Sequence, residues 1–244
     1  MFSFFRNKKI EYPEGYFPIS TDIHSHILPG IDDGSPDIES SIRLINGLID
    51  LGITKSVATP HIIGDLYKNN KTTINNSLNL LKAELEKRSI QFDLSAAAEY
   101  MLDTYFFELI QNDEPLLTIK DNIILTEFSY VSAPNEINKI SFDIINAGYR
   151  PILAHPERYS YFHDNLKIYN KLNDFGFSLQ VNLLSLAGYY GKNSMKAAQY
   201  MLDNNIVAYV ATDLHHPMHL QLLSDKKSIE KFYTLLSHRT WNDF

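Results

Sequence analysis

Seven short runs rich in apolar and β-branched residues recur along the chain, at 18–24, 55–59, 93–98, 123–128, 151–154, 178–183 and 207–212, with helical patterns between them. Such alternation marks parallel strands joined by crossover helices, because a parallel connection must travel back along the sheet and a helix does so while covering one face. The pattern predicts an α/β chain whose strands close, or nearly close, into a barrel. Helices are expected over 74–88, 134–147, 166–175, 194–204 and 226–235. A further helix follows Ser35-Pro36-Asp37, with Ser35 expected as its cap, Pro36 at its first position and Ile38, Ile42, Ile45 and Ile49 on one face. Gly52, Gly148 and Gly176 stand where three of these helices should stop.

What ends the runs carries the chemistry. His24, His26 and Asp33 come with or after the first, His61 after the second and Glu99 after the third. Glu127 closes the fourth, His155 follows the fifth, and Asp213 and His215 follow the seventh, whereas the sixth ends in Val181-Asn182 and offers no obvious ligand. All strand C-termini of a parallel barrel share one rim, so these nine side chains should converge there. His24 and His26, two apart in an extended strand, point to the same side. Each histidine alone would ordinarily be a hydrogen-bonded core or loop residue, and it is the joint placement that argues for a metal site. Nine donors exceed the needs of one ion. Two or three divalent ions, with Glu99 as a bridging carboxylate and a shared hydroxide, use them naturally. Imidazole and carboxylate without sulfur suit Mn, Fe or Zn, with Mg at a more oxygen-rich position.

Next to His155, the sequence His155-Pro156-Glu157-Arg158-Tyr159 supplies a cation. Arg158 can form two parallel hydrogen bonds with phosphate oxygens, its alternative role being a salt bridge to Glu157 or another carboxylate. His216 and His219 lie close enough in sequence to meet a substrate, while His163 and His238 read as loop and surface residues.

With 244 residues, 44% of them hydrophobic, the chain can bury a core as one domain, expected over 21–244 with an N-terminal arm at 1–20. The arm carries Phe2, Phe4 and Phe5 among basic residues; it lacks the marks of a secretory signal and is expected to pack on its own domain. No apolar stretch approaches the roughly 18 residues of a membrane span, and a cytoplasmic location is expected. The net charge of -7 argues against a nucleic-acid partner. It does not exclude an anionic substrate, since three divalent ions would outweigh the four carboxylates of the rim. The chain has no cysteine, which excludes disulfides, thiolate metal sites and a cysteine nucleophile.

Taken together, Asp22-Ile23-His24-Ser25-His26 with Asp32-Asp33-Gly34, Thr59-Pro60-His61, Ala98-Glu99-Tyr100, Glu127-Phe128, Ala154-His155-Pro156-Glu157-Arg158-Tyr159, Gln180-Val181-Asn182 and Thr212-Asp213-Leu214-His215 resemble the polymerase and histidinol phosphatase (PHP) superfamily. Within it the chain is most similar to the bacterial CpsB-type protein tyrosine phosphatases of capsule and exopolysaccharide synthesis, from about Thr21 to near the C-terminus. The resemblance implies a distorted seven-stranded (β/α)7 TIM-like barrel and a trinuclear, often manganese-dependent centre. It assigns as ligands His24, His26, Asp33, His61, Glu99, Glu127, His155, Asp213 and His215, the same nine residues. The reaction expected is phosphomonoester hydrolysis by a metal-activated hydroxide, with Arg158 stabilising phosphoryl charge and His61 or His215 aiding proton transfer if not committed to metal. The implied substrate is a phosphotyrosine protein, a tyrosine kinase of polysaccharide export. Similar members often carry a second phosphate-contacting arginine beyond the Asp-x-His motif, where this chain reads His215-His216-Pro217-Met218-His219; either His219 substitutes or substrate preference differs. Two other readings stay open: a small-molecule phosphatase such as a histidinol phosphatase, and a non-catalytic metal-binding regulator.

Overall fold

Pro60 has no amide hydrogen to give to a ladder; the second expected strand, 55–59, stops beside it as β2 (Lys55–Ala58), and a further short strand, β3 (His61–Ile62), follows. The third, 93–98, likewise stops early as β4 (Asp93–Ala96), and β5 (Glu99–Met101) follows Ala97-Ala98. The computed structural model describes residues 11–243, so the expected packing of Phe2, Phe4 and Phe5 lies outside the described residues. The other strands are β1 (Thr21–Asp22), β6 (Ile123–Glu127), β7 (Arg150–Ala154), β8 (Ser178–Asn182) and β9 (Val207–Ala211).

The two breaks divide the strands between two sheets, with orders β1-β2-β4 and β3-β5-β6-β7-β8-β9, every pairing parallel. The parallel α/β architecture is as expected, while the expected seven-stranded barrel, closed or nearly closed, is corrected to nine short strands in two parallel sheets among the described residues. Single hydrogen bonds stitch the sheets where ladders stop. The Ala97 amide donates to Ala58 O at 2.8 Å and the Glu99 amide to Pro60 O at 3.1 Å. At the opposite seam the Asp213 amide donates to His24 O and the His26 amide to Leu214 O, both at 2.9 Å. Buried Asp22 ties the same seam, accepting from the Thr212 amide at 3.0 Å and its hydroxyl at 2.5 Å.

Alternation sorts the strand side chains. Ile124 and Leu153 join the large core beneath the helices, while Leu125 and Ile152, on the other face, form a small separate cluster with Ile23, Ala154 and Ala211. The helices are α1 (Ile38–Asp50), α2 (Lys71–Lys87), α3 (Thr104–Gln111), α4 (Ile137–Asn146), α5 (Ile168–Asp174), α6 (Leu183–Ala187), α7 (Lys192–Asp203), α8 (Pro217–Leu223) and α9 (Lys226–Leu236). The cap of α1 is Asp37 rather than Ser35, since Asp37 Oδ1 accepts the Ser40 amide at 2.7 Å and the Ser35 hydroxyl donates to Asp37 O instead. The buried stripe of α1 turns toward Leu44 and Leu48, leaving Ile49 partly exposed. Gly52, Gly148 and Gly176 do stop α1, α4 and α5, each at a positive φ. Of the expected arm, Tyr16 packs edge-on against Tyr233 of α9 and Phe17 against Phe232.

Candidate metal centre

Strand ends deliver seven of the nine side chains, while Asp33 and His215 come from the loops beyond β1 and β9. His24 and His26 continue the direction of β1, His61 and Glu99 open β3 and β5 just past the breaks, and Glu127 closes β6. His155 and Asp213 lie one and two residues beyond β7 and β9, both with left-handed backbone, at φ 37° and 51°. Few residues other than glycine adopt that conformation, Asp and His among the more tolerant; six other described residues share it here, none of them among the nine. Every one of the nine falls into a set of donors within 4.8 Å of one another: His26, Asp33, His61 and His215; His24, His26 and Asp213; His24, Glu99 and His155; and His61, Glu99 and Glu127. The structure thus brings the nine side chains together.

The donor atoms themselves test whether metal ions fit. His24 Nε2 lies 3.2 Å from Glu99 Oε2, 3.3 Å from Asp213 Oδ1 and 3.2 Å from His26 Nε2. Ligands at about 2.0–2.2 Å from one ion stand roughly 3–3.5 Å from their neighbours, so these are the separations of a shared cation. On His26, Nδ1 faces the Asp32 carboxylate at 2.8 Å and must carry a hydrogen, which leaves Nε2 turned inward. A second observation is independent: His61 Nδ1, Glu99 Oε2 and Glu127 Oε1 are buried without a hydrogen-bond partner. They form one of the four donor sets, with His61 Nδ1 3.2 Å from Glu99 and 3.0 Å from Glu127. Buried polar atoms are rarely left unsatisfied, and a cation satisfies all three. Glu99 reaches both ways, Oε1 to His155 Nε2 at 2.9 Å and Oε2 to His24, His26 and His61.

Behind the donors stands a supporting layer that sequence reasoning missed. Asp32 orients His26 and also accepts the amides of Gly34 at 3.0 Å and His61 at 3.2 Å. Gln180 Oε1 meets His24 Nδ1 at 2.8 Å, Gln180 Nε2 donates to Asn182 Oδ1 at 2.8 Å, and Asn182 Nδ2 donates to Asp213 Oδ2 at 2.6 Å. The sixth expected strand thus supplies no donor of its own but fixes His24 and Asp213, as outer partners of ligands do. Its signal was available: Gln180 and Asn182 are polar residues two apart in an otherwise apolar run.

The electrostatics follow from carboxylates packed among imidazoles. Burial opposes a charge on His24, but Glu99 and Asp213 outweigh it and raise its pKa to about 10. His26 reaches about 10 against the same penalty through Asp32 and Glu99. His61 rises to about 9, where Glu99 and Glu127 overcome both burial and the neighbouring His26. His215 goes the other way, to about 3, because burial and His26 disfavour its charge; its ring stacks on His26 at 4.0 Å. Glu99 and Asp213 are held well below the usual carboxylate range, the histidines prevailing over burial.

Arg158 donates from Nη1 to Asp213 Oδ2 at 2.8 Å, so its carboxylate partner is Asp213 and not Glu157. The two oxygens of Asp213 are divided: Oδ1 faces His24 and His26, Oδ2 is held by Arg158 and Asn182. His219 is buried, packed edge-on against Tyr189, and its Nδ1 accepts the His215 amide at 3.4 Å, whereas Met218 is 57% exposed.

Gly34 is required by close approach. A Cβ there would stand 2.0 Å from His26 O and 2.4 Å from His26 Cβ. Gly34→Ala is therefore expected to displace His26, cost at least about 1–3 kcal/mol of stability and reduce bound metal. Thermal unfolding and elemental analysis check this, and wild-type values in both would contradict it.

Residues 20–228 match the family described as "Capsular polysaccharide synthesis, CpsB/CapC". The tyrosine-protein phosphatase YwqE of Bacillus subtilis (strain 168) is 31% identical over 198 residues, spanning 80% of this chain and 77% of that protein. The tyrosine-protein phosphatase CpsB of Streptococcus pneumoniae is 30% identical over 205 residues, spanning 80% and 82%. A solved structure from work on YwqE and CpsB, described as unique metal-dependent tyrosine phosphatases, superposes with a TM-score of 0.76 at 27% identity, over 91% of this chain and 96% of that one. A histidinol phosphate phosphatase of Lactococcus lactis shares the fold at 15% identity, with a TM-score of 0.56 over 92% and 94% of the two chains. On the extent of the sequence match and of the structural overlap, this chain belongs to the CpsB/CapC family of capsular polysaccharide synthesis.

Proposed function

We propose that this protein is a metal-dependent phosphatase that hydrolyses phosphotyrosine on proteins, its substrate being a tyrosine kinase of capsule or exopolysaccharide export. The observation that carries the reading is the trio of buried atoms without hydrogen-bond partners on His61, Glu99 and Glu127, set among nine converging donors in a chain without cysteine. His24, His26, Asp33, His61, Glu99, Glu127, His155, Asp213 and His215 would hold up to three divalent ions, manganese foremost, in a domain over 21–244. When bound, such ions lower the pKa of water and neutralise charge on phosphoryl oxygens.

The chain's own groups supply orientation and charge. Glu99 and Asp213 stay ionised because the histidines around them keep their carboxyls acidic. Asp213, itself held by Asn182, steers Arg158, Gln180 steers His24, and the guanidinium donors not used on Asp213 are free to meet phosphate oxygens. A phenolate leaving group, with a parent pKa near 10, departs without strong acid assistance. His215 fits the role of donor atom better than that of proton source, since its Nδ1 hydrogen is held by Asp213 O at 2.9 Å and its pKa is low. A cytoplasmic site of action is part of this reading; no described helix is long and apolar enough to cross a membrane.

The decisive comparison is turnover of a phosphotyrosine peptide against histidinol phosphate by manganese-loaded protein. Preference for the peptide is expected. Preference for histidinol phosphate would assign a small-molecule phosphatase, and full metal loading without turnover of any phosphoester would assign a regulator.

A further inference from the structure

Arg158 is held more tightly than its single ion pair explains. Its Cζ lies 4.2 Å from the centre of the Tyr190 ring and 5.0 Å from that of Tyr130. Nη1 is committed to Asp213 Oδ2, and the rest of the guanidinium makes no other hydrogen bond among the described residues, although its side chain remains 23% exposed. Both tyrosines are themselves braced. Tyr190 stands edge-on to Tyr189 at 4.8 Å, and Tyr189 edge-on to buried His219 at 5.2 Å. Tyr130 stacks on the His155 ring at 5.8 Å, and its hydroxyl lies 3.2 Å from His155 Nδ1.

We propose that Tyr130 and Tyr190 are positioning residues that hold the Arg158 guanidinium between their rings, so that its free edge is presented to the phosphoryl group in one orientation, with Tyr130 also fixing His155. The inference rests on the phosphatase reading, in which Arg158 meets phosphate. An unrestrained arginine loses its rotamer freedom when substrate binds, whereas one stacked on aromatic faces has already lost it on folding. Planarity makes this possible: a guanidinium can lie against two rings and still offer N–H groups at its edge, which an ammonium cannot. The Tyr130 hydroxyl adds a second connection, from the same ring to a residue of the metal centre, of the kind that fixes the tautomer and tilt of a ligating histidine.

The test uses the full chain loaded with manganese and reads kcat and KM on a phosphotyrosine peptide, inhibition by inorganic phosphate, and metal affinity by chelator competition. Tyr190→Leu is expected to raise both KM and the phosphate inhibition constant about tenfold, with a smaller change in kcat and full metal content. Tyr190→Phe keeps the ring and should recover most of the loss. Tyr130→Phe removes only the hydroxyl and should weaken manganese affinity about tenfold. If Tyr190→Leu is not recovered folded, Tyr190→Gln reads the same loss. Wild-type KM and phosphate inhibition in Tyr190→Leu would overturn the clamp, as would a phenylalanine variant as impaired as the leucine one. Loss of phosphate inhibition in Arg158→Ala but not in Tyr190→Leu would sink the clamp and leave the phosphatase reading standing. A wild-type enzyme inert toward the peptide would sink that reading, and phosphate binding measured calorimetrically would then still decide on the clamp.

Discussion

Asp213→Asn is expected to remove phosphatase activity while leaving the fold intact. The substitution keeps the size of the side chain, an oxygen to accept from Arg158 and a residue type that tolerates left-handed backbone. What it deletes is the negative charge facing His24 Nε2 at 3.3 Å and His26 Nε2 at 3.5 Å. Loss of an outer partner of a metal ligand typically costs about 10–100-fold in affinity or activity, and loss of a proposed ligand should exceed that. Turnover of a phosphotyrosine peptide, with circular dichroism and bound metal measured on the same sample, decides it. Full activity in the variant would refute the proposed site.

Removal of divalent ions by a chelator is expected to lower the melting temperature as well as abolish activity, by an amount that grows with pH. At a hundredfold excess over its Kd, one ion stabilises the fold by about 2.7 kcal/mol. In a chain of this size that is about 5–10 °C. The pH dependence follows from His24 and His26, raised to about 10, and His61, raised to about 9. A raised pKa contributes stability that is complete below the ordinary histidine value near 6.5 and is lost as pH climbs through the folded value. Protons thus stand in for cations in the metal-free protein at pH 7, and that substitute fails toward pH 9–10. Glu99 and Asp213, with lowered values, stay ionised throughout this range and do not alter the trend. Manganese must displace the protons, so its affinity should rise with pH and binding should release them into buffer. Differential scanning fluorimetry with and without chelator at pH 7 and 9 tests the first part, calorimetry in buffers of different ionisation enthalpy the second. A gap in melting temperature that shrinks toward pH 9 would contradict the argument.

The donors were legible because a parallel topology converts sequence order into spatial convergence: a polar residue at a strand end needs no long-range information to be placed on the rim. The same logic was blind to Gln180, Asn182 and Asp32, whose roles depend on which histidine nitrogen they face, a matter of side-chain geometry rather than strand order. The parallel α/β architecture was legible, but the strand count was exceeded past Thr59-Pro60 and Ala97-Ala98, where short strands that the apolar runs do not mark follow β2 and β4. The helices α3, α6 and α8 are five to eight residues long, too short for a periodic apolar pattern to emerge. Ser35 and Asp37 are both good caps, and only the reach of Asp37 to the Ser40 amide separates them.

The left-handed backbone at His155 and Asp213 also bears on how such a sequence drifts. A side chain held in that region costs about 1–3 kcal/mol that glycine would not. Selection for catalysis and selection for folding therefore pull in opposite directions at these two positions. Glycine would relieve that cost but strand buried partners, Glu99 and Tyr130 at His155 and Arg158 and Asn182 at Asp213. Asparagine tolerates the same backbone and keeps a polar side chain, so it is the exchange that a lineage released from the need for phosphatase activity should accept at these two positions.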